Sequence, residues 1–404
     1  MILVMAWRNI WRNKSRSLVI ILSVAIGLLA GIGVLALYKG MMKSRVKTVI
    51  YSELSHLQVH LPAYTKEEHP VYVLPSANPL LKAIQSLPQV KYAAPRSITQ
   101  GMLVTTTGSA GVRINGVVPE WENNVSQLNL KLIAGGSFHA NKKNEIIIGK
   151  KLADKMKIKL NGRLVLTFAD TTDNLVSAAF RVVGIYQSGN APLDELNVYV
   201  PMNSLNELLL IDDAFHEIAI LLKDDLDLPT TQEALSKANP YLRIDSWKQL
   251  SPETDLMVKT VDEYSYIILV IILVALAFGI LNTMLMSVLE RTKEIGMMVA
   301  LGTSKVKIFF LVLMETIFLT MAGAPLGLLA GYFITGYFQK HGLDLSGMGK
   351  DMMANFGFET TIYPAFPSEK LLAVLIMVVT TALLSSLFPA WRALRLRPVE
   401  ALRK

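Results

Sequence analysis

The chain has 404 residues, of which 52% are hydrophobic, with a formal net charge of +8 and a mean hydropathy of +0.40. This composition is too apolar for an ordinary soluble domain, and the length allows several membrane spans plus one folded domain. Because no cysteine is present, disulfide bonds and cysteine-based metal sites are excluded.

Residues 1–16 are predicted to form an interfacial helix. Trp7 and Trp11 lie four residues apart, as do Arg8 and Arg12, so a helix would carry an aromatic stripe beside a basic one, a pattern typical of segments at the lipid headgroups. The alternative is a basic flank that only sets topology. Both interpretations place this end in the cytoplasm.

Long apolar runs predict four transmembrane helices, over residues 17–39, 264–289, 308–339 and 371–391. Each reaches the roughly 20 residues that a helix needs to cross a bilayer. The first run is longer than the apolar part of a usual signal peptide, so we expect a retained anchor.

Small residues recur every four positions in two of these runs, which predicts close helix packing. The predicted packing residues are Gly27 and Gly31 in the first run and Gly323, Gly327 and Gly331 in the third.

The distribution of charge predicts the topology. Residues 1–16, 290–307 and the tail 392–404 together hold 13 Lys/Arg against three acids, whereas residues 41–263 hold 23 against 24. The excess of basic residues beside the spans places both termini and residues 290–307 in the cytoplasm. The domain 40–263 and the loop 340–370 then lie outside, and we expect no nucleic-acid partner.

Residues 40–263 are predicted to be an extracytoplasmic α+β domain, because short β-rich runs alternate with segments of helical spacing. Glycines between them read as turns between strands. The predicted strands are 56–61, 145–149, 163–168, 180–186, 197–201 and 217–222; the helices are 78–87, 150–158, 203–211 and 229–238; the turn glycines are Gly108, Gly111, Gly116, Gly135 and Gly136.

Residues 290–307 are predicted to form a short cytoplasmic helix. Arg291 and Glu294 can pair across one turn, Gly302 can end the helix, and the side chains of Ile295, Met298 and Val299 form an apolar ridge. Such a helix would present its charges and its ridge to a neighbouring protein. The alternative is a solvated loop whose charge only satisfies topology.

Catalytic and metal-binding motifs are not found. The nearest approach to a phosphate-binding loop, at Gly149, has Asn144 in place of the first glycine, so we expect no ATP hydrolysis and no enzyme activity. The six histidines are expected at the surface, without a metal site. Glu315 adjoins the third apolar run, and a boundary position near a basic side chain is favoured over a proton relay.

The sequence ERTKEIGMMVALGTSKVKI, which starts at Glu290, resembles the motif after the second span of ABC-transporter permeases of the MacB/FtsX-like superfamily. The resemblance extends to WRNIWRNKSRS at the start, the large domain between spans one and two, and PAWRALRLRPVEALR at 389–403. It is strongest to the lipoprotein-releasing LolC and LolE type.

This resemblance implies that the helix after span two couples the permease to a separate ATPase. The matching residues are Glu290, Arg291, Thr292, Lys293, Glu294, Ile295, Gly296, Met298, Ala300, Leu301 and Gly302. It also implies a cytoplasmic ABC ATPase that binds ATP and Mg, a second permease that is identical or similar, and no cofactor in this chain. By resemblance to LolC, residues 169–179 correspond to a loop for a periplasmic carrier, with Asp170, Thr171, Thr172, Asp173, Asn174 and Leu175 as docking residues.

The predicted protein is therefore an inner-membrane permease subunit that extracts lipoproteins for transfer to the outer membrane. Two other functions remain open: MacB-like efflux of peptides or small molecules, and FtsX-like transmission of a signal across the membrane. A solitary membrane-anchored binding protein is a fourth possibility.

Overall fold

The computed structural model describes residues 2–12, 14–75, 77–139, 142–349, 353 and 355–394. The chain forms two compact units: a helical unit from segments 1–42, 258–343 and 361–404, and an α/β unit from segments 43–257 and 344–360. Positions 395–404 of the predicted tail, which include most of the closing motif, lie outside the described residues.

Helices and strands are numbered here in chain order. The helices are α1 (Ile2–Arg12), α2 (Lys14–Thr48), α3 (Ala77–Gln85), α4 (Pro119–Ser126), α5 (Lys150–Met156), α6 (Ala191–Leu196), α7 (Met202–Leu209), α8 (Leu228–Ala238), α9 (Trp247–Leu250), α10 (Pro252–Glu290), α11 (Thr292–Ala300), α12 (Lys305–His341) and α13 (Leu371–Leu394). The strands are β1 (Leu57–His60), β2 (Val90–Thr105), β3 (Gly108–Val117), β4 (Leu132–Gly135), β5 (Glu145–Gly149), β6 (Arg163–Ala169), β7 (Leu175–Tyr186), β8 (Asn197–Pro201), β9 (Glu217–Leu222), β10 (Arg243–Ser246), β11 (Leu343–Asp344) and β12 (Thr361–Ile362).

Four segments of the described chain are long and apolar enough to cross a membrane, and they contain α2, α10, α12 and α13. Together with the α/β unit inserted between the first two, they confirm the predicted fold class. Helices α2, α10 and α12 extend beyond the apolar runs because the polar flanks also favour helix and contain no proline until the first turn of α10. Apolar length therefore marks a candidate span without marking the helix ends.

Glycines of α12 lie where that helix meets α2. A Cβ atom built on Gly327 would come within 2.7 Å of the Ala25 carbonyl oxygen, and one on Gly323 within 2.7 Å of the Ile21 oxygen. Gly27 and Gly31 of α2 instead face α10, where a Cβ would meet the side chains of Leu276 and Leu269, and Gly331 faces the side chain of Ile32. The α2–α12 contact is thus a backbone approach that only glycine permits at these positions.

One ten-stranded sheet organises the α/β unit. Its order is β10-β1-β9-β2-β3-β8-β5-β7-β4, with β6 paired to both β2 and β7. The sequence did not predict the long hairpin of β2 and β3. Residues 93–99 of β2 are all buried and include Pro95, so this stretch lacks the alternation that marks a half-buried strand.

The predicted turn glycines of this region need correction. Gly111 and Gly116 lie inside β3 and do not separate two strands. Gly108 is the first residue of β3 and lies at the end of the hairpin with β2. A Cβ on Gly116 would come within 2.8 Å of the Leu205 side chain. The absence of a side chain at this glycine therefore allows α7 to pack against the sheet.

Candidate functional site

Helix α11 is a nine-residue helix between α10 and α12, set off by a sharp break at each end. Helix α10 ends at Glu290, Arg291 leaves helical geometry, and the Thr292 hydroxyl donates to the Leu289 carbonyl at 2.7 Å. At the other end Gly302 has φ +89, in the left-handed region that favours glycine. These breaks let α11 lie apart from the two long helices.

The apolar ridge of α11 faces inward, which corrects the prediction that it is presented to a neighbour. Ile295 and Gly296 are buried, and Met298 and Val299 pack against the core of the helical unit. The ridge packs within this chain and is therefore not presented to a partner.

A different face of α11 is exposed. Met297 is 49% exposed and Leu301 is 85% exposed, and Lys293 and Ala300 lie on the same side. Their spacing of i, i+4, i+7 and i+8 places them along one stripe of a helix. We call these four residues the outer face of α11.

Three arginines and three glutamates surround the inner side of α11, and we call them the arginine–glutamate cluster: Arg12, Arg16, Arg291, Glu290, Glu294 and Glu315. Arg12 of α1 donates to both oxygens of Glu294 at 2.5 Å, and Arg291 donates to Glu294 at 3.1 Å. Arg16 pairs with Glu290 and donates to the Ser287 hydroxyl at 3.0 Å. The cluster thus joins α1, α2, α10, α11 and α12.

Glu315 is the buried member of the cluster. Only 7% of the residue is exposed, and a nitrogen of Arg291 lies 3.2 Å from its carboxylate. Removing either partner would leave an uncompensated buried charge, which is costly. Glu315 therefore anchors the start of α11 to α12.

Arg12 is a member of the site that the sequence does not link to α11. Its hydrogen bond is the largest influence that lowers the pKa of Glu294, with Arg291 contributing in the same direction. The only sequence signal is the basic stripe of α1, which by itself predicts a position at the lipid headgroups or a topogenic flank. Packing of Trp7 against Phe318, with ring centroids 5.8 Å apart, turns α1 so that Arg12 reaches α11.

Breaking the Arg12–Glu294 pair is expected to loosen α1. In an Ala6→Cys background, the buried thiol should react slowly with a maleimide, and it would be the only thiol in the chain. Adding Arg12→Glu should speed labelling about fivefold, the factor for ~1 kcal/mol expected of a half-exposed pair. The double variant Arg12→Glu/Glu294→Arg should restore slow labelling, whereas Arg8→Glu, at an exposed position, should have no effect. Equal rates in Arg12→Glu and Arg8→Glu would contradict the tether.

Several histidines of the α/β unit are buried, so their prediction as surface residues was wrong. His56, His60 and His216 are 1%, 3% and 0% exposed. His216 receives a hydrogen bond from the Ile98 amide and bonds the Pro70 carbonyl, at 3.0 and 2.9 Å. The histidines form no metal-binding group among the described residues.

The buried histidines predict acid-sensitive stability. Burial lowers the pKa of His60 and of His216 below the ordinary 6.5, so the unfolded chain binds more protons as the pH falls through 6.5. The unfolding free energy of the α/β unit should therefore decrease between pH 7 and 5, by at most about 1.4 kcal/mol per pH unit for each histidine. Urea unfolding of the full chain at several pH values should show a smaller slope in His60→Gln. An unchanged slope there, as in the more exposed control His69→Gln, would contradict this origin.

An ion triad lies in the same unit. Arg96 donates to Glu122 at 2.7 and 2.9 Å and to Glu217 at 2.9 Å, and all three residues are buried. Burial alone would disfavour the charged forms of these side chains. The opposite charges of the ion pairs outweigh this effect, so the pKa of Arg96 is raised and the pKa of Glu122 is lowered. The triad joins β2, α4 and β9.

The predicted carrier loop at 169–179 is shorter than expected. Residue 169 belongs to β6 and residues 175–179 to β7, which leaves a turn at 170–174. The Asp170 carboxylate accepts hydrogen bonds from the Thr172 amide and hydroxyl and from the Asn174 amide, at 2.8, 2.7 and 3.0 Å. Thr171 is held by the Leu209 carbonyl, Asp173 has φ +64, and Leu175 is 80% exposed.

Family comparisons match both parts of the chain. A model described as MacB-like periplasmic core domain matches residues 17–238, and one described as FtsX-like permease C-terminal matches residues 266–398. Candidate spans around such a core define a membrane permease with a periplasmic-type domain. The chain belongs to the MacB/FtsX-like permease family, which confirms the resemblance noted from its motifs.

Individual relatives carry two different names. The macrolide export ATP-binding/permease protein MacB of Salmonella typhimurium is 23% identical over 99% of this chain and 60% of its own length. The lipoprotein-releasing system transmembrane protein LolC of Xylella fastidiosa (strain 9a5c) is 23% identical over 78% of each chain. This chain thus spans about 60% of the length of the MacB relatives.

Two solved structures are similar to about half of this chain. The periplasmic region of MacB from Actinobacillus actinomycetemcomitans covers 49% of this chain and 92% of its own, with 13% identity and a TM-score of 0.35. The extracellular domain of the transporter YknZ from Gram-positive bacteria covers 47% and 99%, with 15% identity and a TM-score of 0.34.

Proposed function

We propose that the chain is the permease subunit of an ATP-driven ABC exporter and that α11 receives the movement of an ATPase subunit. The observation that carries this proposal is the two-sided character of α11. Its inner side pairs with α1 through Glu294 and Arg12 and connects to α12 through Arg291 and Glu315, while its outer face of Lys293, Met297, Ala300 and Leu301 is exposed. ATP and Mg would be bound by the partner, and a second permease would complete the assembly.

The cluster supports force transmission. Arg291 contacts both Glu294 on α11 and Glu315 on α12, and Arg12 contacts Glu294 from α1. A displacement of α11 would therefore pull on several long helices together, because separating these pairs leaves charges without partners. Packing of Ile295 in the apolar core adds a second connection.

Orientation and location are part of the proposal. The excess of basic residues beside the candidate spans supports a cytoplasmic position for α11 and both termini and a periplasmic position for the α/β unit. The inner membrane is then the site of action. The name of the matched core domain supports this arrangement.

Lipoprotein extraction from the membrane is the preferred cargo assignment. One named relative is a lipoprotein-releasing protein, and no described residue between 316 and 339 of α12 is charged, which favours movement of an amphiphile over passage through a polar pore. MacB-named relatives support efflux of another cargo equally. An FtsX-like signalling role is a further alternative.

Reconstitution separates these functions. The full chain, its co-purified ATPase and a fluorescent triacylated lipoprotein would be placed in proteoliposomes, and ATP-dependent release to the soluble phase would be measured. We expect release above that of a hydrolysis-deficient ATPase control. ATP turnover without release would reject lipoprotein as the cargo while keeping the permease function. Failure of any ATPase to co-purify would reject both.

Carrier docking at the 170–174 turn is tested in the same system. Leu175 is the exposed apolar residue beside it, so Leu175→Asp should lower carrier-dependent release severalfold without changing ATP turnover. An unchanged release would remove this turn from the proposed site.

A further inference from the structure

A groove of about 270 Å³ lies on the α/β unit, between the end of α3 and helix α4. Val90 and Ala93 of β2 form its buried apolar part and are 5% and 4% exposed. Two aromatic residues also line it, Tyr92 and Trp121, and they are 41% and 39% exposed. Exposed rings beside buried apolar residues form a contact surface, and this surface has no part in the proposed ATPase contact.

The groove follows an edge of β2 that no other strand covers among the described residues. Residues 90–96 pair with β9 on one side, whereas pairing with β3 begins only at Arg96. On the free side, the Gln85 side chain donates to the Ala93 carbonyl at 3.1 Å. Pro95, two residues further along the same edge, has no N–H group. An added β-strand would find one acceptor occupied and one donor missing, so this edge does not suit strand addition.

The polar side chains that line the groove can all donate hydrogen bonds, and none of them is a carboxylate. They are those of Gln85, Lys91, Tyr92, Trp121 and Asn124. Lys91, Trp121 and Asn124 use no side-chain hydrogen bond or ion pair within the part of the chain that the structure describes. The Lys91 ammonium instead lies 5.7 Å from the centre of the Tyr92 ring. The groove therefore offers a ligand mainly hydrogen-bond donors and aromatic faces.

We propose that this groove binds a proline-rich segment of a partner protein in the polyproline II conformation. Such a segment has no internal hydrogen bonds, and its prolines lack the N–H group, so it presents carbonyl acceptors and apolar rings. Aromatic-lined grooves are the sites at which proline-rich segments dock. The donors of the groove match the carbonyls, and the rings of Tyr92 and Trp121 match the proline rings.

Two other ligand classes fit the groove less well. The hydroxyl groups of a sugar donate as well as accept, and the lining has no carboxylate to receive them. An acidic peptide would meet only one charged side chain in the lining, that of Lys91, and a single exposed ion pair contributes little. A segment of carbonyl acceptors brings no donor that the groove would leave without a partner.

Fluorescence anisotropy with the full-length protein in detergent micelles tests the ligand class. The probes are fluorescein-labelled decaproline, a labelled glycine–serine decapeptide and labelled cellohexaose. Decaproline should bind at least about tenfold more tightly than the glycine–serine peptide, because its preformed helix loses less conformational entropy on binding. Absence of decaproline binding, equal binding of the two peptides, or tighter binding of cellohexaose would each overturn the proposal.

Single substitutions test the location. Trp121→Ala removes one of the two rings and should weaken decaproline binding at least about tenfold, as expected for a central aromatic contact; Tyr92→Ala should have a similar effect. Tyr241→Ala is the matched control, because Tyr241 is 56% exposed on the same unit but lies outside the groove lining, so this variant should bind like the wild type.

Thermal unfolding would check that each variant folds, and either groove variant decides alone if the other does not fold. Wild-type affinity in a folded groove variant, or an equal loss of affinity in Tyr241→Ala, would overturn the assignment of the site.

Discussion

Replacing Leu301 by aspartate is expected to weaken binding of the ATPase subunit at least about 30-fold. The side chain is 85% exposed at the end of α11, beside the half-exposed Met297. An apolar anchor at the centre of an interface contributes 2 kcal/mol or more, which corresponds to about 30-fold in affinity. Aspartate would also bury a charge without a partner. Pull-down and light-scattering titration of the detergent-solubilised complex measure the effect.

Leu226→Asp is the matched control for this experiment. Leu226 is 83% exposed but belongs to the α/β unit, so the same chemical change should leave ATPase binding intact. Equal binding by wild type, Leu301→Asp and Leu226→Asp would refute the outer face of α11 as the docking surface. Insertion and folding of α11 itself should be unaffected, because Leu301 follows its last helical residue.

Gly327→Ala is expected to destabilise the helical unit by about 1–3 kcal/mol, the usual cost of overpacking. The new methyl group would lie 2.7 Å from the Ala25 carbonyl oxygen and 2.8 Å from the Leu28 Cβ atom. Two of the nearest atoms are backbone atoms of α2, so the helices themselves must separate. Unfolding of the purified protein in mixed micelles with increasing sodium dodecyl sulfate would measure the loss.

Gly336→Ala is the control on the same helix. A Cβ atom at this position has no neighbour within 4 Å, so the variant should keep its stability or gain up to about 1 kcal/mol from the better helix propensity of alanine. A comparable loss in both variants would mean that helix propensity or insertion is responsible, and would refute the close α2–α12 contact as the cause.

The candidate spans and the presence of both strands and helices in the inserted unit could be predicted from the sequence alone. Apolar length is a local property, because a helix in lipid satisfies its own backbone hydrogen bonds whatever its neighbours are. The same holds for short buried strands such as β5 and β9, whose apolar residues are contiguous. The strand β2 escaped prediction because the elements that cover both of its faces come from distant parts of the chain.

Side-chain direction was not predictable at the candidate site. Period and hydrophobicity identified the ridge of Ile295, Met298 and Val299, but they could not say whether it faces a partner or the chain itself. Only the packing of the helical unit shows that the ridge contacts the core of this chain and that Met297 and Leu301 remain exposed. The local partner of Glu294, Arg291, was predicted from its spacing, but the second partner, Arg12, was missed because it lies 282 residues away in the sequence.

The buried polar groups of the α/β unit could not be predicted from the sequence either. His60 and His216 have no local signal that distinguishes them from surface histidines, and the buried ions Arg96, Glu122 and Glu217 come from separated segments. Their burial is tolerated because partners such as Arg96 and Glu217 meet when the sheet forms.

By itself, the sequence determined four candidate membrane spans, an inserted α/β unit and the resemblance to the MacB/FtsX-like permease family, because apolar length, strand and helix periodicity and the family motifs are properties of contiguous residues. The tertiary structure decided which face of α11 is exposed, that Arg12 joins Arg291 at Glu294, and which carboxylates meet the buried Arg96. These features depend on contacts between residues that are far apart in the chain. Which face of a helix is buried is decided by its packing against other helices, and the sequence of the helix itself does not contain that information.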